Sequence, residues 1–234
     1  MKRAVALLSG GLDSTVALAM ARRTFEIILA LNFDYSQRAA KKEDELSRAI
    51  SDYYHINYKS IKLKWLGEIT LTSLVRKEKK LPHISIGDLD KKEFLSKTMK
   101  AVWIPNRNGL FVNIAASLAE AIDCKYIITG FDLEEAGSFP DNSLDFIKAE
   151  NRALAFSTLN KVKVISPLCK MDKMRIIKVG QELGVPFQFI WSCYEGGNIP
   201  CKKCESCQRV RRAIRKIGIL PGDEGVGILA KRYL

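Results

Sequence analysis

Histidine is nearly missing from this chain: His55 and His83 are the two among 234 residues. One falls in a helix-to-strand connection, the other in a stretch without clear periodicity, and both read as incidental to any chemistry. Long apolar runs are missing too. None approaches the ~20 residues of a membrane-spanning helix, so no membrane partner is expected. The start, Met1-Lys2-Arg3-Ala4, runs straight into a strand pattern with no separate apolar region or cleavage site. No signal peptide is therefore expected, and the cytoplasm is the expected compartment. No internal repeat or low-complexity tract is visible. Negative charge is in short supply: 26 Asp and Glu face 38 Lys and Arg, a formal net charge of +12. That balance suits an anionic partner, a nucleotide or an RNA. The lysines are spread out rather than clustered, and a Lys-rich solvated surface explains the charge equally well.

The length allows one α/β domain plus a small appendage. Residues 4–8, 27–33, 58–63, 125–129 and 162–166 read as short strands. Helical spacing covers 14–23, 38–54, a stretch from Asn108 to Ile122, 143–159, 172–184 and 205–217. In the third of these, Leu110, Phe111, Ile114, Ala115, Leu118 and Ile122 form one apolar face. Gly184, with Pro186 behind it, stops the helix that starts near Asp172. Residues 64–100 predict irregular or short helical structure, and 130–143 a polar loop. Strands alternating with helices predict a parallel sheet covered on both faces. Ligands of such sheets bind at the C-terminal strand ends, so Ser9–Ser14, Asn32–Arg38, Gly130–Asp141 and Ser166 should converge there.

The segment Leu7-Leu8-Ser9-Gly10-Gly11-Leu12-Asp13-Ser14-Thr15 leaves a strand and enters a helix through small polar residues. Two glycines permit close backbone approach. Successive N–H groups in such a turn form an anion-binding concavity, and the helix start adds positive potential. The loop should hold phosphate. It is not a Walker A loop, because no lysine follows its glycines, and the one G-x-G-x-x-A match, Gly225-Gly227-Ala230, has no βαβ unit after it and is set aside as a dinucleotide fingerprint.

Six cysteines include two isolated ones, Cys124 and Cys169, in apolar contexts that read as inert burial. The other four, Cys193, Cys201, Cys204 and Cys207, lie within fifteen residues. Four thiolates satisfy tetrahedral Zn²⁺ and leave no open position, so a structural site is expected. Redox CxxC pairs, an iron–sulfur cluster and a zinc ribbon on RNA are the other readings of the same spacing. Arg209, Arg211, Arg212 and Arg215 read as the solvated face of the last helix. The expected division is an ATP-binding α/β domain over 1–189 and a zinc-binding segment over 190–234.

The string Ser9-Gly10-Gly11-Leu12-Asp13-Ser14 resembles the PP-loop of the ATP pyrophosphatases, which include GMP synthetase, argininosuccinate synthetase, tRNA thiolases and 7-cyano-7-deazaguanine synthases. That resemblance implies a Rossmann-like fold of the adenine nucleotide alpha hydrolase type. It also implies a loop gripping the pyrophosphate of ATP and transfer of AMP to a substrate. DYSQRAAKKE (34–43), IPNRNGLFVNIAAS (104–117) and WSCYEGGNIPCKKCESCQRVRRA (191–213) narrow the likeness to the 7-cyano-7-deazaguanine synthase family over nearly the whole chain. Two departures stand out. Ala39 replaces a histidine usual in the family, and Ser138-Phe139-Pro140-Asp141-Asn142 replaces a Gly-Tyr-Pro-Asp-Cys stretch.

The likeness implies an ATP-dependent ligase. The carboxylate of 7-carboxy-7-deazaguanine is activated by ATP and attacked by ammonia; the resulting amide is activated by a second ATP and becomes the nitrile preQ0, the precursor of queuosine or archaeosine in tRNA. The implied ATP segment is Leu8, Ser9, Gly10, Gly11, Leu12, Asp13, Ser14, Thr15, Val16, Ala17 and Leu18, with Asp13 a candidate Mg²⁺ contact and the backbone of 31–33 facing adenine. Asp13, Ser14, Arg38 and Arg107 are the candidate catalytic residues. Gln37, Arg38, Arg107, Asp132 and Asp141 are the candidate substrate contacts. A PP-loop tRNA thiolase and a non-catalytic zinc-ribbon RNA-binding protein stay open, as does a homodimer.

Overall fold

The first strand, β1 (Lys2–Leu7), lies at the centre of the sheet because it is apolar on both faces. Ala4 and Ala6 face one layer, Val5 the other, and all three are buried. In this computed structural model, which describes residues 1–234, five parallel strands run in the order β3-β2-β1-β4-β5. The others are β2 (Phe25–Asp34), β3 (Asn57–Lys62), β4 (Tyr126–Ile128) and β5 (Lys163–Ile165). The chain builds outward on one side of β1, then crosses to build the other side. The switch point therefore falls between β1 and β4, where open α/β sheets form ligand crevices.

Period-two alternation divides the core into two layers. One layer packs α1 (Leu12–Ala21), α2 (Ala40–Tyr53), α8 (Lys173–Glu182), α9 (Glu205–Ile217) and α10 (Gly227–Tyr233) beneath the sheet. The other packs α3 (Lys64–Ile69), α4 (Lys92–Val102), α5 (Arg107–Ala121) and α7 (Leu144–Ser157) above it. The deepest face of α5 is Val112, Ala115, Ala116 and Ala119. Its bulkier residues, including Leu110, Phe111, Ile114 and Leu118, are only partly buried. Small side chains let α5 come close to β1 and β4, so the expected face of large residues flanks the contact instead of making it.

Three other expectations are corrected. The region 130–143 is no plain loop: Asp132 caps a short helix, α6 (Leu133–Ala136), accepting the N–H groups of Glu134 at 2.8 Å and Glu135 at 3.0 Å. A 3₁₀ turn at Pro140–Asn142 follows. The helix over 205–217 is not the last, since α10 follows it and buries Leu229, Ala230 and Tyr233. Finally, Arg209 and Arg212 are not a solvated face. Buried Arg209 bonds Glu205, Glu134 and Ser138, and Arg212 bonds Glu134 and Asp90. Three residues apart, these two guanidiniums share one side of α9 and clamp it to acidic α6.

Candidate active site

The loop after β1 is held from below. Asn32 Nδ2 and Ser47 Oγ both donate to the Leu8 carbonyl, at 3.1 and 3.0 Å. Gly10 has φ +70°, which favours glycine, and its carbonyl accepts the Trp191 N–H at 2.8 Å. Gly11 caps α1. The loop N–H groups meet hydroxyls: Ser9 N–H donates to Ser14 Oγ, Gly11 N–H to Ser9 Oγ and Leu12 N–H to Ser192 Oγ, each at 3.3 Å. These long bonds to neutral oxygens are ones that phosphate oxygens improve on. From the other side Gly130, at the end of β4, presses against the loop; a Cβ there would sit 2.7 Å from Ser14 N.

An open cavity lies over this loop. Leu8, Ser9, Gly11, Asp13 and Ser14 form one wall, Leu31, Asn32 and Phe33 another, and Arg107, Asn108 and Phe111 come from the start of α5. Six of the expected nucleotide contacts do not line it: Gly10, Leu12 and the four residues after Ser14. Thr15 turns its hydroxyl back to the Gly11 carbonyl at 2.7 Å, and Val16, Ala17 and Leu18 are buried in the apolar layer. The helix rotates about 100° per residue, so a segment of this length cannot face one ligand throughout.

Arg38 does not line the cavity. Its Nε donates to the Ser73 carbonyl at 2.7 Å, Nη1 reaches Glu195 at 3.1 Å, and Nη2 reaches the carbonyls of Arg76, Lys77 and Lys79. A loop without regular structure otherwise leaves such carbonyls unmatched, so Arg38 organises residues 73–79 instead of meeting a substrate. Gln37 is buried and tied to Phe33 O and Tyr35 N, while its Nε2 donates to Glu43 Oε2 at 2.7 Å. Glu43, absent from the sequence expectations, is the side chain that lines the cavity, and burial pushes its carboxyl up to about 7. Arg107 stays at the cavity, with Nε on Asn108 Oδ1 at 3.2 Å and Nη1 on the Tyr35 hydroxyl at 3.4 Å.

A charged cluster lies at the foot of the loop. The buried ammonium of Lys173 touches Asp13 at 2.6 Å, Asp132 at 2.8 Å and Glu135 at 3.1 Å. One oxygen of each carboxylate lies within 4.8 Å of the others. Burial and the two neighbouring carboxylates push Asp13 up to about 7 against the pull of Lys173. Burial likewise raises Asp132. Burial also opposes ionisation of Glu135, but Lys173 and the nearby arginines outweigh it and hold that group below its ordinary value. Asp13 Oδ1 is buried without a partner, a donor atom that suits a cation. Asp132 thus belongs to this cluster and not to the cavity wall. Lys173 was invisible as a candidate; its one signal is a lysine in the first turn of a helix, where the dipole disfavours it.

The sulfur atoms of Cys193, Cys201, Cys204 and Cys207 lie within 4.8 Å of one another, with Cys201 and Cys207 at 3.9 Å. A tetrahedron with ~2.3 Å zinc–sulfur bonds has edges of about 3.8 Å, so the set fits. Cys193 Sγ accepts the N–H of Glu195 at 3.3 Å and of Cys201 at 3.2 Å. Cys201 Sγ accepts that of Cys204 at 3.3 Å. Donors aimed at sulfur favour thiolates. Cys124 is buried apart from this set.

A family model described as "Queuosine biosynthesis protein QueC" matches residues 3–218. A 7-cyano-7-deazaguanine synthase of Methanosarcina mazei is 50% identical over 220 residues, 93% of this chain and 95% of that protein. One from Desulforamulus reducens is 49% identical over 215 residues, 92% and 94% of the two chains. Two solved structures share the fold at a TM-score of 0.50. A 4-thiouridine synthetase in complex with RNA and bound ATP is 20% identical, over 98% of this chain and 52% of that one. NMN synthetase from Francisella tularensis is 13% identical, over 98% and 83%. The parallel sheet with its loop at the β1–β4 switch point is the Rossmann-like fold the PP-loop implied, and on a match from residue 3 to residue 218 the chain belongs to the QueC family of queuosine biosynthesis proteins.

Proposed function

We propose that this protein converts 7-carboxy-7-deazaguanine and ammonia to 7-cyano-7-deazaguanine at the expense of two ATP. The observation that carries this reading is the cavity at the β1–β4 switch point, with the PP-loop on one wall and Arg107 on another. A carboxylate oxygen is a poor leaving group, and bonding it to phosphorus makes it a good one. The loop N–H groups of 9–14 hold the β and γ phosphates, so the α-phosphorus faces the substrate and pyrophosphate leaves. Ammonia adds to the acyl adenylate, AMP departs, and the amide remains. A second adenylation at the amide oxygen, followed by loss of two protons and AMP, leaves the nitrile. Main-chain groups of 31–33 line the adenine end. Ser14 donates to phosphate, and Arg107 offsets the charge of the acid and of the transition state. Glu43, with its raised carboxyl, accepts the proton that ammonia sheds on adding.

The four cysteines hold a structural Zn²⁺, which pins the chain at 193–207 against the cavity wall. Asp13 and its neighbours suit a Mg²⁺ that shields the phosphates. The cytoplasm supplies ATP and keeps the thiols reduced. Incubation with ATP, ammonium, Mg²⁺ and the acid, followed by mass spectrometry, tests the reading. Nitrile, AMP and pyrophosphate are expected. ADP and phosphate as sole nucleotide products overturn the loop assignment. Sulfur transfer to tRNA with no nitrile favours a thiolase.

A further inference from the structure

Beside the main cavity lies a second, smaller one. Arg107, Glu135, Asn142 and Tyr194 form the wall between them. Trp103 and Phe139 line the second cavity. Their rings are parallel to within 5°, and their centroids stand 6.5 Å apart. At that separation the pair is parallel but displaced from full face contact, which brings ring carbons to ~3.5–4.0 Å. Asp141 stands on the same wall, and the one side-chain hydrogen bond to its carboxylate, from Asn142 Nδ2, is long at 3.5 Å. Arg107 uses Nε and Nη1 on Asn108 and Tyr35, and its Nη2 makes no hydrogen bond.

We infer that this second cavity is the ring subsite, in which a guanine-type heterocycle stacks on the parallel rings of Trp103 and Phe139 and Asp141 reads its hydrogen-bonding edge. The inference rests on the proposed synthase reaction. A guanine-type edge presents two adjacent donors, the ring N–H and the exocyclic amine, and an ionised carboxylate offers two acceptors to match. An adenine-type edge presents an acceptor beside its amine and leaves one carboxylate oxygen facing a lone pair. Asp141 therefore keeps the adenine of ATP out of this subsite and admits the substrate. The carboxyl group on the far side of the ring then meets the free Nη2 of Arg107 in the shared wall, which turns it toward the α-phosphorus in the main cavity. Stacking supplies affinity, Asp141 supplies selectivity, and Arg107 sets the reacting atom.

Steady-state kinetics at saturating ATP test this with Trp103→Leu, Phe139→Leu and Asp141→Asn. Each should raise the KM for the acid about tenfold or more, with kcat changed far less. ATP affinity, zinc content and melting temperature should stay at wild-type values. Trp103→Phe keeps a ring and should recover most of the loss, which a variant failing through misfolding would not do. The wild-type protein should disfavour the analogous acid lacking the 2-amino group, and Asp141→Asn should erase that preference. If the wild type makes nitrile while all three variants keep its KM, the ring lies elsewhere and the inference falls alone. If the wild type neither binds the acid nor makes nitrile, the synthase reading falls and takes the inference with it.

Discussion

Lys173 is the residue on which the loop's electrostatics turn. Three carboxylates meet around it in a buried space, and without its ammonium their repulsion has no local counterweight. Removing one partner from a buried ion pair typically costs ~3–5 kcal/mol. Lys173→Met should therefore lose about that much stability at pH 8 in urea titrations. The loss should shrink at pH 5, where the carboxylates take up protons, and it should shrink with millimolar Mg²⁺. An equal loss at both pH values would refute the charge argument. Glu43 makes a complementary case. Its folded carboxyl titrates at about 7 rather than 4.5, so the folded protein holds a proton that the unfolded chain releases across that window. The stability that this proton brings is complete below pH 4.5 and is lost as pH rises through about 7. Melting temperatures of ligand-free protein should fall over that range, and Glu43→Gln should flatten the slope; an unchanged slope would assign it to other groups.

At the scale of elements, contact between the end of β4 and the loop fixes the loop's position. Gly130 approaches so closely that a methyl group would press on the backbone of Asp13 and Ser14 at 2.7–2.9 Å. Gly130→Ala should push the loop out of register with its helix. ATP binding by calorimetry should then fall at least tenfold, the effect of about 1.4 kcal/mol or more, while zinc content holds. Wild-type ATP affinity in that variant would show the loop free to move. Several elements were legible in the chain: β1, the loop, α1 and the cysteine spacing follow from local pattern and turn chemistry. The small residues on the deep face of α5 were not, because only proximity to the sheet makes alanine preferable to leucine there. Nor was the clamp of Arg209 and Arg212 on α6, since a basic helix face reads as solvated until an acidic partner from another part of the chain lies against it.

At the scale of the molecule, the cysteine segment does not stand apart. Cys193, Cys204 and Cys207 belong to the same apolar layer as α1, α8 and α10. The Tyr233 hydroxyl accepts the Ser192 N–H at 2.7 Å, and Trp191 N–H holds Gly10. Zinc at this place should therefore stabilise the whole chain. Stripping the metal with a chelator should lower the single melting transition of the protein, by circular dichroism, and lower ATP affinity with it. An unchanged main transition beside a separate small one would mark 190–234 as an independent unit. Cys204→Ser should reproduce the chelated state.

The sequence by itself determined the parallel α/β sheet, the glycine loop after its first strand and the spacing of four cysteines near the C-terminus. Each rests on neighbours along the chain: strand and helix periodicity, glycines in a turn, cysteines at metal spacing. Only the tertiary structure decided that Arg38 braces a loop while Arg107 faces the cavity, and that Lys173 gathers three carboxylates. It also set Trp103 and Phe139 parallel. The partners in those contacts lie 35 to 160 residues apart. Whether a charged side chain meets water, a carbonyl or a ligand depends on which distant backbone closes over it, and no local pattern encodes that.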